Sequence, residues 1–248
     1  MSAVIVKIDN LKREFIVGSE TVRALKGVSF EINKGEFVSI MGTSGSGKST
    51  MLNILGCLDK PTAGKYYIDG IEVSSLSKDE LAHVRNRKIG FVFQSYNLLP
   101  RTSAVEQVEL PLLYNKDVSS KERRERAVYA LEQVGLQDRM SHTPNQMSGG
   151  QQQRVAIARA IVNDPVMLLA DEATGNLDTR TSYEIMSLFQ KLHSAGKSII
   201  FVTHEPDIAV FTSRTIMLRD GRVIKDQAVE TKSAAQALVA LPPSSDYN

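Results

Sequence analysis

The sequence predicts an α/β fold built on a parallel-rich sheet, with a helical insertion between two of its strands. Three observations predict it. Short apolar runs of strand character at 37–41, 166–170 and 198–202 alternate with helix-like segments. A glycine-rich turn joins the first of these runs directly to an apolar helix start at Lys48. From Ser95 to about Asn163 the strand runs stop and helical spacing takes over.

In chain order, residues 4–8 and 28–32 read as strands joined by a polar, glycine-containing turn region. Asn33-Lys34-Gly35-Glu36 turns the chain into the 37–41 strand. After the first helix, Pro61–Gly64 is a turn, and Lys65–Ile68 with Asp69-Gly70 reads as a hairpin strand and its turn. A charged helix over 78–88 leads into a strand at 89–93. In the helical stretch, Ser119 and Glu122 match a capping box, followed by Ala127, Ala130, Leu131 and Val134 at helical spacing. The charged run Lys121–Arg126 is the solvated face of that helix. Strands return at 166–170, 198–202 and 215–219, with a helix near 179–194 between the first two. A short helix and a frayed tail are expected from Thr231 through Pro242-Pro243-Ser244-Ser245.

Composition narrows the functional classes. With 42% hydrophobic and 23% charged residues the chain is ordinary globular material. The net charge is +2, from 30 basic and 28 acidic residues, so no strong field points to nucleic acid. The single cysteine, Cys57, excludes an intrachain disulfide framework and suits a reducing compartment, and its apolar surroundings predict buried packing. No apolar run approaches the roughly 20 residues that span a bilayer, and no signal-peptide pattern opens the chain. Work at a membrane would need another subunit to hold the protein there.

The chemistry concentrates at strand ends. Gly42-Thr43-Ser44-Gly45-Ser46-Gly47-Lys48-Ser49-Thr50 follows a strand and opens a helix, the context a phosphate-binding loop requires. The glycines let backbone N–H groups curl inward, and the helix start adds its positive dipole end. A connecting turn alone would explain neither Lys48, which can reach the β- and γ-phosphates, nor Ser49, whose hydroxyl can ligate Mg²⁺. The chain is therefore expected to bind a nucleotide. Asp171 and Glu172 end another apolar strand. At the carboxyl edge of the same sheet, Asp171 would support the magnesium shell and Glu172 would polarise the attacking water. His204 ends a third strand and could contact the γ-phosphate, whereas a lone histidine is more often structural. Gln94 ends the 89–93 strand, where an amide could touch both Mg²⁺ and water. Ser148-Gly149-Gly150-Gln151 starts a helix with Ser148 as its N-cap, and taken alone it is only a cap.

Together, Gly42–Thr50, Gln94, Ser148–Gln151, Asp171–Glu172, Asp178 and His204, in that order, resemble the ATP-binding-cassette ATPases over about 4–222. The resemblance implies a P-loop NTPase (RecA-like) core with an antiparallel β subdomain and an inserted α-helical subdomain. The expected division is 1–94 with 164–230 for the core, 95–163 for the insertion and 231–248 for the tail. It implies that Ser148, Gly149, Gly150 and Gln151 bind the γ-phosphate held by a partner subunit, in a head-to-tail homodimer enclosing two ATP. Asp178 falls at the family's D-loop, and Phe15 where an aromatic stacks on adenine. Met147 replaces the family's usual Leu, a volume-conserving change, and Ala173 stands where close relatives tend to have Pro.

Asn53–Thr62, Phe91–Pro100 and Gly175–Asp178 look like the macrolide-export and lipoprotein-release subfamily. That likeness implies a separate integral membrane permease with few spans and a large extracytoplasmic domain, with a periplasmic adaptor as a further partner. The protein is then expected in the cytoplasm, peripheral on the inner face of the membrane, using ATP and Mg²⁺ and binding no nucleic acid. The segment Gln94–Tyr114 would press on the permease. A cell-division ATPase that gates wall hydrolases without transport is the nearest alternative. A soluble cassette acting on DNA or ribosomes is the other; the lack of a sustained heptad pattern counts against the DNA case, and the single cassette motif set against the ribosome case.

Overall fold

The computed structural model describes residues 3–115 and 117–242; the last residues of the expected tail, 243–248, lie outside them. The chain opens with β1 (Val4–Val17), β2 (Glu20–Asn33) and β3 (Phe37–Gly42), followed by α1 (Lys48–Leu55). Next come β4 (Ala63–Ile68), β5 (Ile71–Glu72), α2 (Lys78–Lys88) and β6 (Ile89–Phe93). The helical stretch holds α3 (Ala104–Glu109), a 3₁₀ turn over Leu110–Tyr114, α4 (Ser120–Gln133) and α5 (Gly149–Ile161). The last part is β7 (Met167–Asp171), α6 (Thr179–Ser194), β8 (Ser198–Thr203), α7 (Pro206–Ala209), β9 (Arg214–Arg219), β10 (Arg222–Ala228) and α8 (Ala234–Ala240).

These strands make two sheets. One is antiparallel, in the order β2-β1-β4-β5; the other has six strands in the order β10-β9-β3-β8-β7-β6. Within the second, β3, β6, β7, β8 and β9 run parallel, and β10 is an antiparallel edge. Side chains of the parallel strands alternate between two dry layers, as a period of two demands. Phe37, Leu168, Ala170, Ile199 and Phe201 face the layer shared with α5, α6 and the helical stretch. Val38, Ile40, Leu169, Ile200 and Val202 face α1 and the antiparallel sheet. Strands buried on both faces read as continuous apolar runs, which is why they were the most legible elements.

Three expectations need correcting. The first two strands are each 14 residues long and pair through the region expected to be a loop. The ribbon's outer half is solvent-facing, so its charged residues carry no burial signal, and register shifts interrupt the alternation. The edge strand β10 was missed because nearly all its residues are exposed. Its one signal is Asp220-Gly221, with φ of 51° and 76°, the same left-handed pair as Asp69-Gly70 at 48° and 77°. Finally, Ser119 Oγ accepts the Glu122 N–H at 3.2 Å, but the Glu122 carboxylate takes Arg126 instead of closing the expected box.

The helical stretch is the crossover between β6 and β7, which are adjacent and parallel. It returns to the sheet along α5, whose end lies so close that a Cβ on Gly90 would stand 2.2 Å from the Ala160 carbonyl oxygen. Ala127, Ala130 and Leu131 are buried as their spacing predicted.

Cys57 is 3% exposed at the end of the α1 turn, and burial pushes its thiol up to about 12, the nearby Arg85 opposing only in part. The neutral thiol therefore persists at any ordinary pH. Disulfide-exchange labelling of the native protein at pH 8 should run at least about 100-fold slower than labelling in denaturant. Comparable rates would show that Cys57 is accessible.

Candidate functional site

The strand register brings the expected chemistry to one edge. Met41 pairs with Thr203 and Asp171 with Val202, so the chain leaves β3, β7 and β8 side by side. The phosphate loop, Glu172 and His204 emerge there and line one cleft. An open parallel sheet places ligands at this edge.

The loop is held by close backbone approaches. A Cβ on Gly42 would stand 2.4 Å from both the Leu218 carbonyl oxygen and Ser46 Oγ. Gly47 has φ 103° and faces the Ala24 carbonyl oxygen, 2.8 Å from where its Cβ would be. The β9–β10 turn closes the arrangement, with Gly221 N–H donating to the Ser46 carbonyl at 3.0 Å and its own carbonyl accepting from Lys26 N–H at 2.8 Å. Lys48 Nζ donates to the Gly42 and Thr43 carbonyls at 2.7 and 3.0 Å, which seats the ammonium over the loop.

The start of α1 differs from most other helix starts in the chain. Helices α2, α4, α5, α6 and α8 each begin with a Ser or Asp side chain accepting a backbone N–H. Helix α1 begins at Gly47 with no side-chain cap and no acidic residue in its first turn. Its open N–H groups and dipole suit an external anion, and a phosphate chain fits the cradle. Magnesium fits too. Among the described residues no cluster of three or more His, Cys, Asp or Glu could cage an ion. A hard cation that keeps waters and takes phosphate oxygens needs only the Ser49 hydroxyl and nearby acids from the protein.

Glu172 occupies left-handed backbone (φ 44°), with its N–H on the Val202 carbonyl and its own carbonyl accepting Gly175 N–H, both at 2.9 Å. A non-glycine residue held there costs on the order of 1–3 kcal/mol, a cost found concentrated at functional sites. His204 Nδ1–H donates to Glu172 Oε1 at 2.7 Å. Burial raises the Asp171 carboxyl above its ordinary range and the Glu172 charge raises it further, while Lys48 pulls it down.

Not every expected residue joins this cleft. Gln94 turns to the Gly175 loop: its Nε2 lies 3.4 Å from Asn176 Oδ1, and Asn176 Nδ2 donates to the Gln94 carbonyl at 3.1 Å. Phe15 stands on the outer ribbon, across from Val22, with the Arg13 guanidinium 4.5 Å from its ring centre. Ser148–Gln151 lies outside the cleft of its own chain: Ser148 is exposed and caps α5 in a reciprocal box with Gln151. Asp178 caps α6, and hydrogen bonds from Thr181 hold its carboxyl below the usual range. Conversely, Val22, Ala24, Met217 and Ile224 form an apolar end of the cleft that sequence reasoning did not single out. Val22, Ala24 and Ile224 come from strands too exposed or too irregular to read, whereas Met217 lies on the expected 215–219 strand.

Comparison with known proteins agrees with this geometry. A family model described as ABC transporter matches residues 25–175. The chain belongs to the ABC transporter family, and it is an ATP-binding, ATP-hydrolysing cassette with the P-loop NTPase fold. An uncharacterized ABC transporter ATP-binding protein of Bacillus subtilis, YknY, is 55% identical over 219 residues, covering 88% of this chain and 95% of the relative. The macrolide export ATP-binding/permease protein MacB of Chlorobaculum tepidum is 52% identical over 222 residues, covering 90% of this chain but 34% of that protein. The cassette MJ0796, solved as a dimer in a post-hydrolysis state bound to ADP and Pi, superposes with a TM-score of 0.82 at 50% identity. That match covers 91% of this chain and 99% of the other.

Gly42→Val should weaken nucleotide binding at least tenfold in a fluorescent-ATP titration, since two atoms stand where its side chain begins. Unchanged affinity would remove the loop from the site.

Proposed function

We propose that this chain is the ATP-driven motor subunit of a membrane complex, working as a head-to-tail pair with ATP enclosed between two copies. One observation carries the reading. The cleft holds Lys48, Ser49, Glu172 and His204, while Ser148–Gln151, a helix start capped by its own serine, does not line it. A second copy turned end for end would supply the missing half, and the MJ0796 cassette was solved as a dimer. Asp178 would then lie at the contact between the copies.

Within each site, Gly42–Thr50 holds the triphosphate, Lys48 the β- and γ-phosphates, and the apolar end by Val22 and Ile224 the base, with Phe15 as an adenine platform. Ser49 would hold Mg²⁺, with Asp171 behind it and Gln94 reaching in from the Gly175 loop. The ion would offset phosphate charge in the transition state. Glu172 orients and polarises the attacking water, and His204 holds that carboxylate and faces the γ-phosphate. Catalysis is then positioning plus electrostatics.

The output is movement of a separate permease with few spans and a large extracytoplasmic domain, for export or lipoprotein release, in some complexes with a periplasmic adaptor. Support comes from the MacB-named relatives and from a groove between α2 and α5, bordered by the exposed Tyr114. No helix among the described residues is long and apolar enough to cross a membrane. Attachment at the inner face would therefore run through that groove.

Glu172→Gln is expected to bind ATP with wild-type affinity and lose turnover by about 100-fold or more. Normal hydrolysis would remove Glu172 from its role. Ser148→Arg should bind ATP as a monomer and fail to dimerise in the Glu172→Gln background, as followed by light scattering. ATP-driven dimers of that double variant would count against the shared site.

A further inference from the structure

Helix α5 carries more than the turn at its start. Gln153 lies four residues beyond Gly149 and so on the same face of the helix. It is fully buried (0% exposed), and its amide Nε2–H donates to the Ala173 carbonyl at 2.7 Å. Ala173 is the residue directly after Glu172. The Glu172 peptide is otherwise held by Val202 on the sheet side and by Gly175 further along its own turn. The Gln153 bond ties the next peptide, Ala173–Thr174, to the helix that begins at Ser148–Gln151.

Two features argue that this amide is there for the bond and not to fill space. Gln153 Oε1 and the hydroxyl of the next residue in the turn, Thr174 Oγ1, are buried with no hydrogen-bond partner. A Leu or Met would fill the volume without stranding an oxygen. The packing around the bond is also tight. A Cβ on Gly149 would stand 3.3 Å from Leu177 Cδ2, and one on Gly150 would stand 2.6 Å from Thr181 Cγ2. The start of α5 is thus in direct contact with the segment 172–181, and the left-handed basin that Glu172 occupies is narrow.

We infer that Gln153 is a positioning residue whose amide carries displacement of the Ser148–Gln151 turn to the Glu172 peptide. The turn that touches one nucleotide thereby sets the carboxylate that acts on the other. This inference rests on the two-subunit site proposed above. An anion arriving at the start of α5 shifts the helix along its axis, and the Gln153 bond draws Ala173 and the adjoining Glu172 peptide with it.

Gln153→Met keeps the side-chain length and removes the donor. Its kcat at saturating ATP should fall at least tenfold, with KM for ATP within twofold of wild type. In the Glu172→Gln background, Gln153→Met should still form the ATP-driven dimer. A wild-type kcat overturns the role, as does a loss of dimerisation in step with kcat, which is what general damage to the fold would produce. If the Met variant does not fold, Gln153→Asn decides the matter: its amide stops one methylene short of the carbonyl, so the same kcat loss is expected, and full turnover overturns the role. A Glu172→Gln protein that stays monomeric with ATP overturns the two-subunit reading, separately from these outcomes.

Discussion

The parallel pairing of β3, β7 and β8 is the constraint on which the site depends. Each strand is buried on both faces, so its register is held from two sides, and a one-residue slip would exchange every side chain between the two dry layers. That register sets Met41 beside Thr203 and Asp171 beside Val202. The loop after β3, the acid after β7 and the histidine after β8 are therefore neighbours, although more than 120 residues separate the first from the second. The hydrogen bond between His204 and Glu172 is a consequence of strand pairing before it is a feature of chemistry.

The antiparallel sheet contributes more than a cover for α1. Its β2 strand brings the Ala24 carbonyl against Gly47, and the β9–β10 turn at Gly221 packs into the same corner and bonds Ser46. The phosphate loop is clamped by backbone from both sheets, where any side chain would collide. Glycine recurs at these points because the approaches are shorter than a Cβ permits. The clamp leaves the N–H groups of α1 free for an anion, where a capping side chain would have consumed them.

The helical crossover solves a different problem. It leaves the sheet after β6, builds its own apolar layer and returns along α5 close enough for Ala160 to touch Gly90. Helix α5 therefore has one end packed on the sheet and the other, with Ser148–Gln151, packed on the turn that follows Glu172. Helix α5 thus runs from the sheet to the protein surface, and the buried hydrogen bond from Gln153 to the Ala173 carbonyl registers it against the sheet edge that carries Glu172.

Legibility followed burial. The apolar runs of β3, β7 and β8, the amphipathic α6 and the phosphate loop could be read directly, because a two-sided core or a required backbone conformation leaves a strong local pattern. The outer halves of β1 and β2 and the edge strand β10 could not, since solvent-facing residues carry no period, and with them went Val22 and Ile224 at the apolar end of the cleft. The family's motifs named Gln94, Phe15 and Ser148–Gln151, but no motif specifies a distance. Tertiary structure alone turned Gln94 toward Asn176, laid Arg13 over Phe15 and left Ser148 exposed outside its own cleft. By itself the sequence determined where the glycine-rich loop, the acid pair and the histidine stand and which strands present them. Which of those residues meet was decided only by the pairing of strands far apart in the chain, whose contacts no local stretch encodes.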